Sequence, residues 1–281
     1  MVKPYEELTF ADDFVFCKAM TEYPQLCEEI TAVILDRWVE LLRPPGKQKA
    51  VTLTADGKAV RFQVRFEEDE KTVYDVEMQT STQKDLHKRS RYHQGMIDLD
   101  AMSPGMSYEK LPNSIIIFIC PFDPFWPNEP IYTFIKRCEE NPAVYLRDET
   151  RTVFVNSKGD RSKASESLRS FLEYLEGRNE ETVFTHRIDE AVQNIRENKE
   201  WRIQYMALLE RDREHEEIGL AKGLAQGRSE GLIQGRREGR TEGLSGSLKN
   251  LMETMQIPLE EAMRLLRIPP ADKDLYLKFL S

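Results

Sequence analysis

The first 120 residues predict an α/β fold, a mixed sheet covered by helices. Their patterns follow the order helix, strand, strand, strand, helix, strand, which is typical of sheets with helices packed on their faces. Two observations carry this prediction. Apolar and polar residues alternate strictly over 58–66 and 72–79, and an uninterrupted apolar, largely β-branched run follows at Ile115 to Cys120. The total length of 281 residues suits one or two domains.

Two helices are predicted before residue 45. Apolar residues between Phe10 and Cys17 recur near helical spacing, and a second helix is expected to begin at Pro24, a residue suited to a first turn. The apolar stripe of the second helix continues to Leu41. The run PPG at 44–46 is expected to end this helix.

A β-hairpin is predicted over 58–79, after a short strand at 51–54. In its second strand, Tyr74, Val76 and Met78 share one face, and the other face carries Asp75, Glu77 and Gln79. We expect the apolar face to enter the core and the polar face to point outward. On alternation alone, the ordinary interpretation of this polar face is a solvated surface.

The elements after the hairpin complete the sheet and lead into a helical C-terminal part. A helix is predicted over 83–102, strands over 131–136 and 151–155, and helices over 165–175 and 189–217. A repeat with glycine at every fourth residue follows, then short helices over 248–256, 259–267 and 274–280. We therefore predict a core at 1–160, a helical extension packing on it at 161–218, a repeat linker at 219–247 and a small helical unit at 248–281.

Composition and spacing exclude several classes of protein. The formal net charge of −9 argues against coating nucleic acid by bulk charge, although a local basic patch remains compatible with it. The longest apolar run is far shorter than the roughly 20 residues that span a bilayer, and the N-terminus lacks an apolar signal core, so we expect a cytoplasmic protein. No cysteine pair has zinc-knuckle spacing and no His-x-x-x-His pair occurs, so a metal site built on histidine is not expected.

The polar face of the second hairpin strand is the candidate site for chemistry. Anionic oxygens that converge on a divalent ion allow the ion to polarise a phosphate and to lower the pKa of a bound water. A strand presents side chains two residues apart on the same face. Glu77 could therefore bind an ion while Gln79 holds the water.

Several segments resemble the Rpn-like, PD-(D/E)xK nuclease family transposases. They are YDVEMQ at 74–79, RSRYHQGM at 89–96, LPNSIIIFIC at 111–120 and FVNSKG at 154–159, and the glycine repeat after a long helix is similar to the family's tail. The likeness covers nearly the whole chain and rests on the order and spacing of these motifs. It implies a PD-(D/E)xK restriction-endonuclease-like core, an α-β-β-β-α-β mixed sheet, with a helical C-terminal extension.

The resemblance also implies a DNA endonuclease, a hydrolase that uses Mg²⁺, with Mn²⁺ as a substitute. Glu77 would bind the metal, Met78 would bind it through its backbone carbonyl, and Gln79 stands where many relatives have a lysine that orients water. The family needs an Asp on the preceding strand, and hairpin spacing puts this position at Gln63. A neutral amide is a poorer magnesium ligand than a carboxylate, so we expect attenuated cleavage, with Asp75 as a nearby compensating group. Four further carboxylates on the leading helices are candidate ligands without a preference among them: Asp12, Asp13, Glu28 and Glu29.

The helix predicted after the hairpin carries more cations than acids. In this fold it flanks the active face, so its cations would contact the phosphates of double-stranded DNA. The ordinary alternative is a solvated helix face. His93 is interpreted as a packing or hydrogen-bonding residue, not as a general base. The cations are Lys84, Lys88, Arg89 and Arg91.

The glycine repeat, from Gly219 to Gly243, has two interpretations. Each glycine costs a helix about 0.5–1 kcal/mol relative to alanine, and successive glycines drift by about 40° around the axis. Either the segment is a marginal helical linker, or close packing in a homo-oligomer offsets the cost.

Two hypotheses for function remain open. The first is the metal-dependent endonuclease. The second is a catalytically inactive relative that binds DNA or protein partners in a DNA recombination assembly. Gln63 is the residue that separates them.

Overall fold

A computed structural model describes residues 3–42, 45–47, 50–51, 60–61, 64–69, 71–79, 85–178 and 181–280. The chain divides into two units, Met1–Tyr205 and Met206–Ser281. The first contains the sheet and the helices that pack on it, and the second is helical.

Two helices precede the sheet, as predicted: α1 at Asp13–Glu22 and α2 at Pro24–Leu35, with Pro24 in the first turn. The expected continuation of α2 to Leu41 is wrong. Asp36 adopts the left-handed conformation, with φ of 50°, and its backbone N–H donates to the carbonyl of Ala32. Aspartate is one of the few residues that tolerates this conformation, so the helix ends there although its apolar pattern continues.

The strands form a six-stranded mixed sheet and a separate two-stranded pair. The sheet has the order β1-β4-β5-β6-β8-β7, and β2 pairs with β3. The strands, in chain order, are β1 Gly46–Lys47, β2 Ala50–Val51, β3 Val60–Arg61, β4 Val64–Glu67, β5 Thr72–Met78, β6 Asn113–Cys120, β7 Ile131–Phe134 and β8 Thr150–Asn156. The predicted short strand at 51–54 and the first hairpin strand lie partly outside the described residues.

β5 lies inside the sheet and is paired on both edges. It runs antiparallel to β4, with Arg65 opposite Asp75, and parallel to β6, with Glu77 opposite Phe118. β8 lies parallel to β6 on its far side, and β7 closes the edge antiparallel to β8. This mixed arrangement confirms the predicted α/β class.

Helix α3, Leu86–Ala101, packs on one face of the sheet. Leu86, Met96 and Ile97 of this helix share a core cluster with Val73 of β5 and Phe118 of β6. Val73 is on the same face of β5 as Asp75 and Glu77, because strand residues two apart share a face. The expectation that this face points outward is therefore wrong: every residue of Thr72–Met78 is buried.

Three helices follow the sheet: α4 at Glu166–Leu175, α5 at Val183–Glu197 and α6, which begins at Lys199 and ends at Met255. The predicted single helix over 189–217 is interrupted at Asn198, which has an extended backbone. The Asn198 side chain accepts hydrogen bonds from the backbone N–H groups of Glu200 and Trp201 and so caps α6. The hydroxyl of Tyr205 donates to the carbonyl of Lys3 at 2.9 Å, which ties the start of α6 to the N-terminal segment.

The second unit comprises the rest of α6 with α7, Leu259–Leu265, and α8, Lys273–Leu280. Leu248, Ala262 and Tyr276 belong to its buried core. The glycine repeat is helical throughout, and the helix predicted at 248–256 is the end of α6. Within the described part of the chain, a methyl group added at any repeat glycine would have no atom within 4 Å apart from the adjoining residues and the backbone of its own helix. No helix among these residues has the length and apolarity to span a membrane.

Candidate metal centre

Two carboxylates of β5 lie under α3. Asp75 and Glu77 are 0% exposed, and Gln79, which follows the end of the strand, is 3% exposed. The backbone N–H of Gln79 donates to the carbonyl of Ile119 at 2.8 Å, which continues the strand pairing and fixes the side chain on the face of Asp75 and Glu77. The alternation read from the sequence therefore grouped these three side chains correctly, although it predicted them to be exposed.

His93 of α3 completes the group. Its Nδ1 lies 2.9 Å from Oδ2 of Asp75 and 3.3 Å from Oε1 of Glu77. One potential ligand atom from each of the three residues lies within 4.8 Å of the other two. Carboxylates and imidazole are common metal ligands, so the group has the composition and the spacing of a metal site.

The sequence did not indicate His93 as a candidate metal ligand, because it contains no His-x-x-x-His pair that would mark one. The predicted hydrogen-bonding role is confirmed, since Nδ1 bonds to Asp75. The helical spacing of His93 did indicate that its side chain faces the sheet. His93 continues the buried stripe of Leu86, Ser90 and Ile97, which faces the sheet.

Arg89 lies one helical turn before His93 and bridges the polar groups. Its Nη2 donates to Oε2 of Glu77 at 2.7 Å, and its Nη1 donates to Oε1 of Gln79 at 2.9 Å. Its Nε donates to Nε2 of His93 at 3.4 Å. The Arg89 side chain is 30% exposed, whereas those of Glu77 and His93 are 0% and 4% exposed. Arg89 is therefore the member of this group that reaches solvent.

Burial dominates the electrostatics of the centre. It raises the pKa of Asp75 and the pKa of Glu77, and the neighbouring Asp75 charge raises the pKa of Glu77 further. Burial also lowers the pKa of His93, which favours the neutral imidazole that metals bind. Oδ1 of Asp75 and Oε1 of Glu77 are buried and accept no hydrogen bond from the described residues. Two buried carboxylates with unused acceptor atoms fit a divalent cation, because it would supply both charge and ligand bonds.

The other site residues predicted from sequence are buried, exposed or outside the described residues. Met78 is buried between Glu77 and Gln79, and its role through the backbone carbonyl stays a prediction. Lys88 and Arg91 are exposed on α3. Gln63 and Lys84 lie outside the described residues.

The structure distinguishes among the four carboxylates of the leading helices. The charge of Asp13, in the first turn of α1, raises the pKa of Glu77. Asp12 pairs with Lys3, Glu28 accepts from the backbone of Leu41, and Glu29 pairs with Arg187. Of the four, Asp13 is the one whose charge acts on the candidate metal centre.

Comparison with protein families then identifies the chain. The model of the PD-(D/E)XK nuclease family transposases matches residues 28–218, more than half of the chain. The chain belongs to this family. The predicted resemblance and the nuclease-like α/β fold are thereby confirmed. Neither the curated proteins nor the solved structures gave a match.

The match to the PD-(D/E)XK nuclease family transposases includes the whole six-stranded sheet and α3. It therefore contains Asp75, Glu77, His93 and Arg89. It ends at residue 218, immediately before the first repeat glycine, so the repeat and the terminal helices lie beyond the matched range. The family membership thus supports a nuclease-like function for the unit that holds the candidate metal centre.

Proposed function

We propose that this chain is a metal-dependent endonuclease that hydrolyses phosphodiester bonds in double-stranded DNA. The observation that carries the proposal is the meeting of Asp75, Glu77 and His93 within the range that matches a nuclease family. The buried oxygens of Asp75 and Glu77 that accept no hydrogen bond support a function in which this site binds a cation. Membership of the family supports DNA as the substrate.

The residues of the centre have distinct roles in this proposal. Glu77 would bind the ion through a carboxylate oxygen and Met78 through its backbone carbonyl, and Gln79 would orient the attacking water with its amide. Asp75 supplies a second negative charge beside Glu77. The chemistry that Mg²⁺, or Mn²⁺ in its place, would supply at these residues is polarisation of the phosphate and a lower pKa of the attacking water.

The cations of α3 would hold the DNA backbone. Lys88 and Arg91 are exposed, so their charges are available to phosphates. Contacts of this kind position a duplex without reading its sequence. The sequence adds Lys84 to this group, and Arg89 would join it on leaving Glu77.

Cleavage of supercoiled plasmid with Mg²⁺ or Mn²⁺ tests the proposal. We expect weak nicking by the natural chain and none by Glu77→Gln. Gln63→Asp should raise the rate at least tenfold, because a carboxylate is the better ligand for a hard divalent ion. Gln63→Asn is the matched control, since it shortens the side chain to the same length without adding charge.

Absence of cleavage by both the natural chain and Gln63→Asp, across several metals and salt concentrations, would contradict the endonuclease. DNA retardation in a gel without cleavage would then favour the non-cutting relative that acts in a recombination assembly. The ion pair between Arg89 and Glu77 supports this second candidate, because it provides a counter-charge for Glu77 without a metal.

Self-association through the glycine repeat is a separate proposal. The open space around these glycines would let a second helix approach closely. Deletion of residues 219–243 should lower the molar mass measured by light scattering from an oligomer to a single chain. An unchanged molar mass would contradict self-association through the repeat. The four-part division at residues 160, 218 and 247 likewise remains a proposal, which limited proteolysis can test.

A further inference from the structure

The three potential ligands of the centre include one nitrogen, and this composition bears on which ion they bind. Mg²⁺ prefers oxygen ligands and retains several waters. Imidazole combined with carboxylates suits first-row transition ions better. Asp75 and Glu77 offer oxygen, and His93 offers nitrogen, from positions two residues apart on β5 and on the facing side of α3.

The distances between the ligand atoms suit one small ion. For metal–ligand bonds of about 2.1 Å, neighbouring ligand atoms lie about 3.0 Å apart in an octahedral site and about 3.4 Å apart in a tetrahedral one. Nδ1 of His93 lies 2.9 Å from Asp75 and 3.3 Å from Glu77. These two separations fall in the range that the ligands of one ion require, and the three ligand atoms all lie within 4.8 Å of one another.

The hydrogen bonds assign the tautomer of His93. Nε2 accepts from Nε of Arg89, so the ring proton lies on Nδ1, which donates to Asp75. An ion that binds Nδ1 would require this proton to move to Nε2 through solvent. Nε2 would then be a donor and could no longer accept from Arg89.

Binding of an ion would also affect Arg89, because Arg89 forms an ion pair with Glu77. Its guanidinium donates to Oε2 of Glu77 at 2.7 Å, and its charge lowers the pKa of both carboxylates. A divalent ion would take over this charge compensation and repel the guanidinium. The side chain of Arg89 already reaches solvent, so it has a path by which to leave.

We propose that Asp75, Glu77 and His93 bind one divalent transition-metal ion, of the Mn²⁺, Co²⁺ or Zn²⁺ class, in preference to Mg²⁺, and that this ion displaces Arg89 from Glu77. The inference rests on the proposed endonuclease for the claim that this ion serves cleavage. The composition and spacing of the ligands carry the claim that it binds.

Calorimetric titration of the metal-free, full-length chain tests the inference. We expect one Mn²⁺ per chain, bound at least tenfold more tightly than Mg²⁺. His93→Gln should weaken Mn²⁺ binding at least tenfold and reduce the preference over Mg²⁺. His87→Gln is the matched control, because His87 is exposed on the same helix and lies outside the centre.

Pulsed electron paramagnetic resonance of bound Mn²⁺ gives a second readout. We expect a coupling to an imidazole nitrogen in the natural chain that His87→Gln retains and His93→Gln loses. If His93→Gln fails to fold, the nitrogen coupling measured in the natural chain and in His87→Gln decides whether a histidine of the centre binds the ion. Equal Mn²⁺ affinity in His93→Gln and the natural chain, or no nitrogen coupling in the natural chain, would overturn the inference.

Plasmid cleavage separates this inference from the proposed function. Mn²⁺ bound through nitrogen without cleavage in any metal would support the site and contradict the endonuclease. Cleavage together with unaltered Mn²⁺ binding and unaltered cutting in His93→Gln would support the endonuclease and overturn the role of His93.

Discussion

Replacing Asp75 with asparagine should stabilise the metal-free protein. Asp75 is 0% exposed, and burial raises its pKa from 3.8 to about 8. The folded state must therefore take up a proton at pH 7, whereas the unfolded state keeps the carboxylate ionised. Each pH unit above 3.8 costs about 1.4 kcal/mol, so the cost is about 4 kcal/mol at pH 7. Asparagine is nearly the same size and has no such cost.

The gain from Asp75→Asn is reduced by the new amide donors. The asparagine oxygen can still accept from Nδ1 of His93, but an amide donor that lacks a partner costs about 1–3 kcal/mol. We therefore expect a net stabilisation of about 1–3 kcal/mol at pH 7. An acid whose folded pKa is raised favours folding most below its unfolded pKa and progressively less as the pH rises toward its folded pKa. The advantage of asparagine should accordingly grow between pH 5 and pH 8.

Urea unfolding in the presence of a chelator, at several pH values, measures this effect. Asp36→Asn is the control, because Asp36 is exposed and has the left-handed conformation that asparagine also tolerates, so its effect should stay within about 0.5 kcal/mol at every pH. The reasoning is refuted if Asp75→Asn destabilises the metal-free chain throughout, or if its advantage does not grow with pH. Added Mn²⁺ should stabilise the natural chain more than the variant, because it binds the folded state.

Three further substitutions give separate predictions. Arg89→Gln should raise Mn²⁺ affinity at least tenfold by calorimetry, because it removes the cation that competes for Glu77; unchanged or weaker binding would contradict the displacement. Gly159→Ala should destabilise the first unit by about 2 kcal/mol or more in urea unfolding, since the new Cβ would lie 2.4 Å from Cα of Pro130; full stability would show that this loop can move. Gly231→Ala should stabilise α6 by about 0.5–1 kcal/mol, seen as increased thermal stability of its helical signal, because the position is open. A destabilised α6 would instead indicate a close partner helix at this glycine.

Periodicity alone predicted the two central strands of the sheet and grouped two of the site's side chains. Strict alternation over 72–79 predicted β5 and grouped Asp75 with Glu77, because strand geometry has a fixed period of two. The apolar run at Ile115 to Cys120 predicted β6 in the same way. Family motifs added the resemblance to the PD-(D/E)XK nuclease family transposases, which the matched range confirms.

The sequence pattern predicted the ends of the helices less accurately than their positions. The apolar stripe after Pro24 gave no sign that Asp36 would turn left-handed, and the pattern after 189 hid the cap at Asn198. Both interruptions depend on the backbone angles of one residue, which a pattern averaged over several turns does not register.

The tertiary structure alone decided that the polar face of β5 is buried and that His93 lies against it. A strand pattern tells which side chains share a face but not what covers that face. Here α3 covers it, and the polar side chains of Arg89 and His93 lie over Glu77 where an apolar stripe would otherwise continue. Burial then shifts the pKa values and leaves acceptor atoms unused, because both effects depend on neighbours far apart in sequence.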